Sequence, residues 1–578
     1  MNIIDKIKSL KKPNSPWNKY YTKEERSFKI PNKSIYELLE DSCREYSKLS
    51  AIDYFGTKIS FNSFINEIDK VARAFLSLGI KEGDVVTICM PNTPEALICF
   101  YALNKIGAIA EMIHPLSSEV EIKNYLNATG SVMLVMIDMC YEKVRNIIGD
   151  TAVYKTILIS VKDSMPFWTG VGYTFSKGIH ITKPKNDSNY IYWRDFMALS
   201  RFYKEEISFK MIPSTPAVIL HSGGSTGTPK GILLTNENFN ALAMQAKLML
   251  KNMEPGDRIL GILPLFHGFG LGVSMHCALC KGVELILIPQ FNSRKFDKLL
   301  MKYRPNFVTG VPTLYEALLN CDNDKLDLSF IKYIISGGDS MSITQIRKIN
   351  AFLLKHNAHI KIAQGYGMTE ALAAVCVSFK EIANKEGSIG IPLPGNYLKI
   401  VTPNTQHEVP HGCDGEICIC GPTVMLGYLN NEKETNEVLQ QHSDGRIWLH
   451  TGDMGMMDDD GVFYYRQRIK RMLISSGYNI YPNQIEQVIE MHEAVLKCTV
   501  IGIPHPYKEE VAKAFIVLKN GYSDNVFTKN SIKEHCKKYL ATYSIPYEFE
   551  FRKSLPKTLI GKIDFKKLEE ESRKQDEQ

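Results

Sequence analysis

No run of about 18 apolar residues occurs anywhere in this 578-residue chain, so it has no stretch of the length a membrane-spanning helix requires. Charge of one sign is not in excess either. The 69 basic and 63 acidic residues leave a net charge of +6, which gives no argument for a nucleic-acid partner. The opening residues contain no secretory hydrophobic segment, and the thirteen cysteines follow no disulfide-like spacing, so a reducing, cytoplasmic setting is expected. The one C-x-x-C pair, Cys277 and Cys280, lies in the apolar stretch "FGLGVSMHCALC" with no second pair to complete a zinc site. Both thiols are therefore expected in a core. There is no internal repeat.

What is present is a globular composition, 44% hydrophobic and 23% charged, on a chain too long for one ordinary core. From about residue 50 to 370, short β-rich runs alternate with helical periods. Examples are "GDVVTICMP" before a helix from about Thr93, with Asn92 as its expected N-cap, and "KYIIS" before "ITQIRKINAFLLKH". That order implies largely parallel sheets covered on both faces, whose ligands gather beyond the strands' C-terminal ends, where 336–340 and 364–370 fall. After about 395, alternating runs such as "GEICICG" suggest a small antiparallel β-subdomain, and after about 470 a new mixed pattern begins. The expected fold is α/β: a large N-terminal domain (1–469) of two α/β subdomains plus a small β-subdomain, then a small mobile α+β C-terminal domain (470–578). The segment 160–190 shows no clear period and reads as a long loop, either a lid or disordered. At the start of the chain, Ile3, Ile4, Ile7 and Leu10 lie at helical spacing among lysines. Two readings are open there, a short helix packed on its own domain and a peripheral membrane contact.

The densest concentration of glycine and hydroxyl residues is "HSGGSTGTPKG", 221–231. It is not a P-loop, which needs G-x-x-x-x-G-K-[ST], because here Lys230 follows Pro229 and precedes Gly231. It lies between the β-like runs "AVIL" and "GILLT", so it reads as a hairpin without a helix dipole. Anion binding then falls to backbone N–H groups, to Ser222, Ser225, Thr226 and Thr228, and to Lys230. The plainer reading is a flexible, solubilising hairpin tip.

Taken with "GYGMTE" (365–370), "WLHTGD" (448–453), "RIKRMLISSGYNIYPNQIE" (468–486) and "PKTLIGKI" (556–563), this loop resembles the ordered motifs of the adenylate-forming superfamily of acyl-CoA synthetases, adenylation domains and luciferases. The resemblance runs from about 30 to 565. It implies that Ser222, Gly223, Gly224, Ser225, Thr226, Gly227, Thr228 and Lys230 hold the phosphates of ATP. Gly338, Asp339, Gln364, Gly365 and Tyr366 would line the adenine, with Gly367 and Met368 leading to Thr369 beside the α-phosphate. Glu370 would be the Mg2+ carboxylate, Asp453 and Arg468 would hold the ribose, and Lys562 would be the main catalytic cation beside Thr369 and Glu370. Lys470 takes the hinge position, and Ser476, Gly477 and Tyr478 the path of CoA. The acyl pocket would include His267, Val311, Ser336 and Gly337. The chain departs from the family pattern at Gly223, Gln467 and Arg471.

In "LPLFHGFGL", His267 stands where an amino-acid-activating domain carries an aspartate for the substrate ammonium, so an uncharged acyl chain is favoured. His267 is either a gate at the carboxylate end or a core histidine. "DGRIWLHTGDMG" resembles the signature of medium- and long-chain fatty acyl-CoA synthetases. The function this implies is ATP-dependent, AMP-forming ligation of a fatty acid to CoA. The alternatives are loading of a carrier protein, an aryl or other carboxylate-CoA ligase, and a nucleotide-binding sensor without turnover. The implied partners are small molecules (a carboxylic acid, ATP with Mg2+, and CoA), for a monomer or homodimer in the cytoplasm or peripheral to a membrane.

Overall fold

The structure is a computed structural model. It describes residues 15–176, 181, 182, 184, 187–207, 209, 212–221, 230–321, 323, 325–380, 384–475, 478–505, 508–557 and 563–576. Two large sheets form the frame. The first has eight strands in the order Gly427–Tyr428, Gly231–Thr235, Pro216–His221, Ile109–Met112, Val85–Cys89, Met133–Ile137, Lys155–Ile159, Tyr190–Tyr192. The second has nine, running from Ile391–Pro392 through Cys376–Val377, Ala363–Tyr366, Tyr333–Ser336, Phe307–Gly310, Arg258–Gly261 and Glu284–Leu287 to Ser50–Tyr54 and Thr57–Ser60. Most neighbouring pairs are parallel, as strand–helix alternation requires. The strands Pro216–His221 and Gly231–Thr235 are antiparallel and flank the glycine-rich loop as a hairpin.

A third sheet of five strands is built from residues 397–468, with Gly415–Cys420 beside Ile447–Met457. A fourth lies in the C-terminal part, where Val495–His505 pairs with Glu509–Leu518 and Glu548–Phe551 adds in parallel. That part has its own apolar cluster around Ile485, Val500, Ile516 and Ile532. The α/β architecture expected from the sequence is the one observed, and no helix among the described residues is long and apolar enough to cross a membrane.

Two local expectations are corrected. Residues 160–190 are not all loop, since Phe167–Ser176 is a ten-residue helix. Its two glycines and uncharged, largely apolar composition hide the helical period, because it has no charged face and its few polar residues bear only hydroxyls. The N-cap of the helix Pro94–Lys105 is Thr93, whose side chain accepts from the Ala96 N–H, and not Asn92. Asn92 is buried and ties the two sheets together. Its amide donates to the carbonyls of Gly261 (3.0 Å) and Leu263 (2.9 Å), and its oxygen accepts from the Leu265 N–H (3.0 Å). A side chain that joins two distant segments has no local signature. Cys277 and Cys280 are both buried.

Candidate active site

A cleft of about 2950 Å³ opens between the C-terminal edges of the two large sheets and is closed on one side by the third sheet and the C-terminal part. The strand Ala363–Tyr366 delivers the sequence "GMTEALAA" to its wall. The chain turns there through two consecutive non-glycine residues of positive φ, Leu372 (47°) and Ala373 (69°). Ala371 and Ala373 donate their N–H groups back to the Met368 carbonyl at 3.0 and 2.8 Å. A Cβ on Gly367 would lie 2.0 Å from the Ala373 oxygen, so only glycine lets the two limbs close. Left-handed conformations of this kind are costly and persist where the surroundings enforce them. The turn sets Met368, Thr369 and Glu370 on the cavity wall.

Glu370 is buried, and its Oε1 accepts from the Tyr428 hydroxyl at 3.0 Å. Among the described residues Oε2 takes no hydrogen bond, which leaves one hard oxygen for a cation. Burial, reinforced by the charge of Glu370, raises the Tyr428 phenol well above its ordinary value and keeps it a donor. The Tyr428 ring also lies under the Lys230 ammonium, 4.8 Å from its centroid, and Lys230 is paired with Glu434 at 2.5 Å.

Asp453 lies at a bend in the strand Ile447–Met457 and is almost wholly buried. Its Oδ2 accepts from the Tyr366 hydroxyl at 2.7 Å, and its Oδ1 lies 2.9 Å from Arg468 Nε without hydrogen-bond alignment. Burial raises the Asp453 carboxyl above its ordinary value, and the opposing Arg468 charge and Tyr366 hydrogen bond only partly offset it. Arg468 sits directly across the strand pair from Asp453. Its own pKa is lowered by burial and raised by the Asp453 charge, and the balance is upward. Behind this pair Glu416 accepts from the Gly452 N–H (2.9 Å) and from His450 Nδ1 (2.9 Å), which holds the bend in place.

Gly337, Gly338, Asp339, Gln364 and Gly365 line the same cleft as these polar groups, and apolar side chains line an arm of it. Gln364 is held by its amide donating to the Ser388 carbonyl at 3.0 Å. Ser336 is buried with its hydroxyl unpartnered among the described residues, and it lines the cleft, as does Val311. His267 lies on the wall next to Phe266, whose ring is 4.2 Å from His114. The arm continues along the helix Asn236–Met249, where Leu242, Ala246 and Met249 line it, and meets Phe307.

Thr369, Glu370, Tyr366, Asp453, Arg468 and Lys230, which are up to 238 positions apart in the sequence, thus line one cavity. Ser222, Gly223, Gly224, Ser225, Thr226, Gly227, Thr228, Ser476, Gly477 and Lys562 lie outside the described residues, and Tyr478 is described as backbone in the strand Tyr478–Ile480. Lys470 lies in the single turn Ile469–Arg471 that enters the C-terminal part.

The model of the AMP-binding enzyme family matches residues 39–429, and that of the AMP-binding enzyme C-terminal domain matches 484–562. The chain belongs to the AMP-binding enzyme family. A long-chain-fatty-acid–CoA ligase of Bacillus subtilis (strain 168) is 33% identical over 566 residues, covering 96% of this chain and 98% of that protein. One of Escherichia coli O6:H1 is 31% identical over 550 residues, 93% and 95% of the two chains. Among solved structures, an anthranilate CoA ligase, AuaEII, in complex with anthranoyl-AMP has a TM-score of 0.80 at 23% identity (95% and 99% coverage). ATP-bound MatB from Rhodopseudomonas palustris has a TM-score of 0.80 at 22% identity (93% and 99%). At these identities the structures show the shared fold.

Within this AMP-binding enzyme the sequence reading overlooked four cleft residues: Tyr428, Glu434, Tyr465 and Glu416. Tyr465 lies 6.0 Å from the Tyr366 ring, centroid to centroid. None of the four stands in a glycine-rich or "TGD"-like stretch. For Glu416 and Tyr465 the available signal was strand register, since Gly415–Cys420 and Phe463–Arg468 flank the strand that carries Asp453; Tyr428 and Glu434 had none.

Proposed function

We propose that this chain is an AMP-forming acyl-CoA synthetase acting on long-chain fatty acids. A carboxylate oxygen of the acid attacks the α-phosphorus of ATP and pyrophosphate leaves. The CoA thiolate then attacks the acyl carbonyl, the bond to phosphate breaks, and AMP leaves. One observation carries this reading: the wall bearing Thr369, Glu370 and Asp453 is continuous with an apolar arm lined by Leu242, Ala246 and Met249. An acid laid in the arm has its carboxylate at the nucleotide. The named substrates of the Bacillus and Escherichia relatives agree with it.

The residues divide the work by chemistry. Asp453 accepts from the ribose hydroxyls and Arg468 completes that grip. Lys230, with the hydroxyls of the loop 222–228, receives the triphosphate. Thr369 donates to the α-phosphate, and Lys562 neutralises the charge that grows on the α-phosphoryl oxygens in the in-line transition state. Glu370 fits Mg2+ on donor chemistry, because it is a carboxylate with one oxygen fixed by Tyr428 and the other open. When bound, the cation would offset negative charge on the phosphates. Lys470 would let the C-terminal domain (470–578) turn, withdrawing Lys562 and bringing 476–478 to the acyl-adenylate.

The test is a mixture of purified protein, Mg-ATP, CoA and a series of straight-chain carboxylic acids, with AMP and acyl-CoA separated chromatographically. Both products are expected in equal amounts with long chains. If no AMP forms with any chain length, the reading is wrong.

A further inference from the structure

Glu111 lies on an inner strand of the eight-stranded sheet, opposite Thr87 on one side and Ile219 on the other, and it is fully buried. A carboxylate taken out of water is costly unless it is paired and hydrogen-bonded. The Thr87 and Thr129 hydroxyls donate to its Oε2, Thr129 at 3.0 Å, and His221 Nε2 lies 2.8 Å from its Oε1. Among the described residues no lysine or arginine reaches Glu111, so its one basic partner is His221. A carboxylate only accepts, so the Nε2 proton stays on the ring and points at Glu111, and Nδ1 is turned the other way. The ring is also packed against Tyr125 of the helix Glu119–Thr129, 4.2 Å away between centroids. Nδ1 is buried and takes no hydrogen bond among the described residues.

His221 ends the strand Pro216–His221, directly before the loop 222–229, and pairs across the hairpin with Gly231, the residue after Lys230. His221 and Lys230 both line the cleft. An imidazole nitrogen thus stands open at the stem of the loop that would receive the triphosphate, with a buried carboxylate behind the ring. A buried polar atom left without a partner is costly, and a ligand that supplies the partner removes that cost. A carboxylate behind an imidazole orients the ring and offsets the positive charge it bears as an acid. We propose that His221 is the general acid of acyl-adenylate formation and that Glu111 is its positioning residue. Nδ1–H donates to the pyrophosphate portion of ATP. As a carboxylate oxygen bonds to the α-phosphorus, the bond from that phosphorus to the bridging oxygen breaks. The electron pair stays on the oxygen, and the Nδ1 proton passes to the departing pyrophosphate. The ring is left neutral, with Nε2–H still on Glu111, and takes its next proton from solvent. The inference rests on the synthetase reading for the acid that attacks.

The test measures acyl-adenylate formation in a single turnover by the full-length wild type, His221→Gln and Glu111→Gln, with Mg2+ and a long-chain acid. The nucleotides are ATP and its β,γ-methylene and β,γ-difluoromethylene analogues. The methylene analogue releases a more basic leaving group than pyrophosphate, the difluoromethylene analogue a less basic one, and a general acid matters most for the most basic. His221→Gln keeps an amide to meet Glu111 and lacks a nitrogen that can carry the proton. Its rate is expected to fall about 100-fold with ATP, about ten-fold further with the methylene analogue and about ten-fold less with the difluoromethylene analogue. Glu111→Gln should show the same order with smaller losses. Each comparison is made within one variant, so an inactive fraction cancels. Losses that are equal for the three nucleotides, or reversed in order, overturn the proposal, as does a His221→Gln enzyme as fast as the wild type. If the wild type forms no adenylate with any acid, the synthetase reading falls. Calorimetric titration with pyrophosphate alone then still tests the contact: binding weakened about five-fold or more by His221→Gln supports it, and equal binding overturns it.

Discussion

Lys230 and Glu434 form an ion pair of 2.5 Å at the foot of the glycine-rich loop, with both side chains about one-third exposed. The lysine that would receive the triphosphate therefore already holds an internal carboxylate, and the two anions compete for it. Glu434 stands in the short helix Glu432–Val438, which is capped by Asn431, so its position is fixed by local structure and not by the nucleotide.

Glu434→Gln removes the competitor and keeps the shape. The KM for ATP is expected to fall about two- to five-fold, the range a partly exposed pair supports. Inhibition by added pyrophosphate should tighten in parallel. Steady-state kinetics at fixed acid and CoA measure both, and an unchanged KM would show that Lys230 is not limited by this contact.

Glu370→Gln is expected to lower AMP formation about 100-fold or more by removing the open carboxylate oxygen. Tyr428→Phe, which only frees Oε1, should cost about ten-fold or less, in keeping with one lost hydrogen bond. Titrating Mg2+ separates the two variants, since raising the cation should recover much of the Tyr428→Phe loss and little of the other.

Ala246→Phe should shorten the acyl arm. The kcat/KM for long-chain acids is expected to fall about ten-fold or more while that for short chains is retained, because the added ring occupies space only a long chain needs. A series of acids of rising length gives the measurement, and a uniform loss would place Ala246 outside the chain's path.

Glu95 links stability to pH. It is buried in the helix Pro94–Lys105, where it accepts from the Ser164 hydroxyl at 2.5 Å, and burial pushes its carboxyl up from 4.5 to about 7. The folded state holds this proton to higher pH than the unfolded chain does. The contribution to stability is full below pH 4.5 and is lost as the pH rises through 7, with an upper bound of about 3 kcal/mol. Relative to the wild type, Glu95→Gln is therefore expected to gain melting temperature steadily from pH 5 to pH 8. Parallel melting curves across that range would refute it.

Strand–helix alternation, a feature of neighbouring residues, made both parallel sheets legible, and two β-like runs around the glycine-rich loop did the same for the hairpin. The helix Phe167–Ser176 escaped because a helix exposing apolar residues on its outer face has no polar stripe to reveal its period. The N-cap was misplaced by one residue because Asn92 and Thr93 are both good caps. The choice was made by the carbonyls of Gly261 and Leu263, about 170 positions away, which claim the asparagine.

By itself the sequence determined the chemistry available: which residues bear carboxylates, hydroxyls and ammonium groups, and the ordered motifs in which they stand. Tertiary structure alone decided how those groups are engaged. Tyr366 is committed to Asp453, Tyr428 to Glu370, and Glu434 to Lys230. Each of these depends on distances between residues remote in the chain, which sheet register and subdomain packing fix and which no local pattern of side chains encodes.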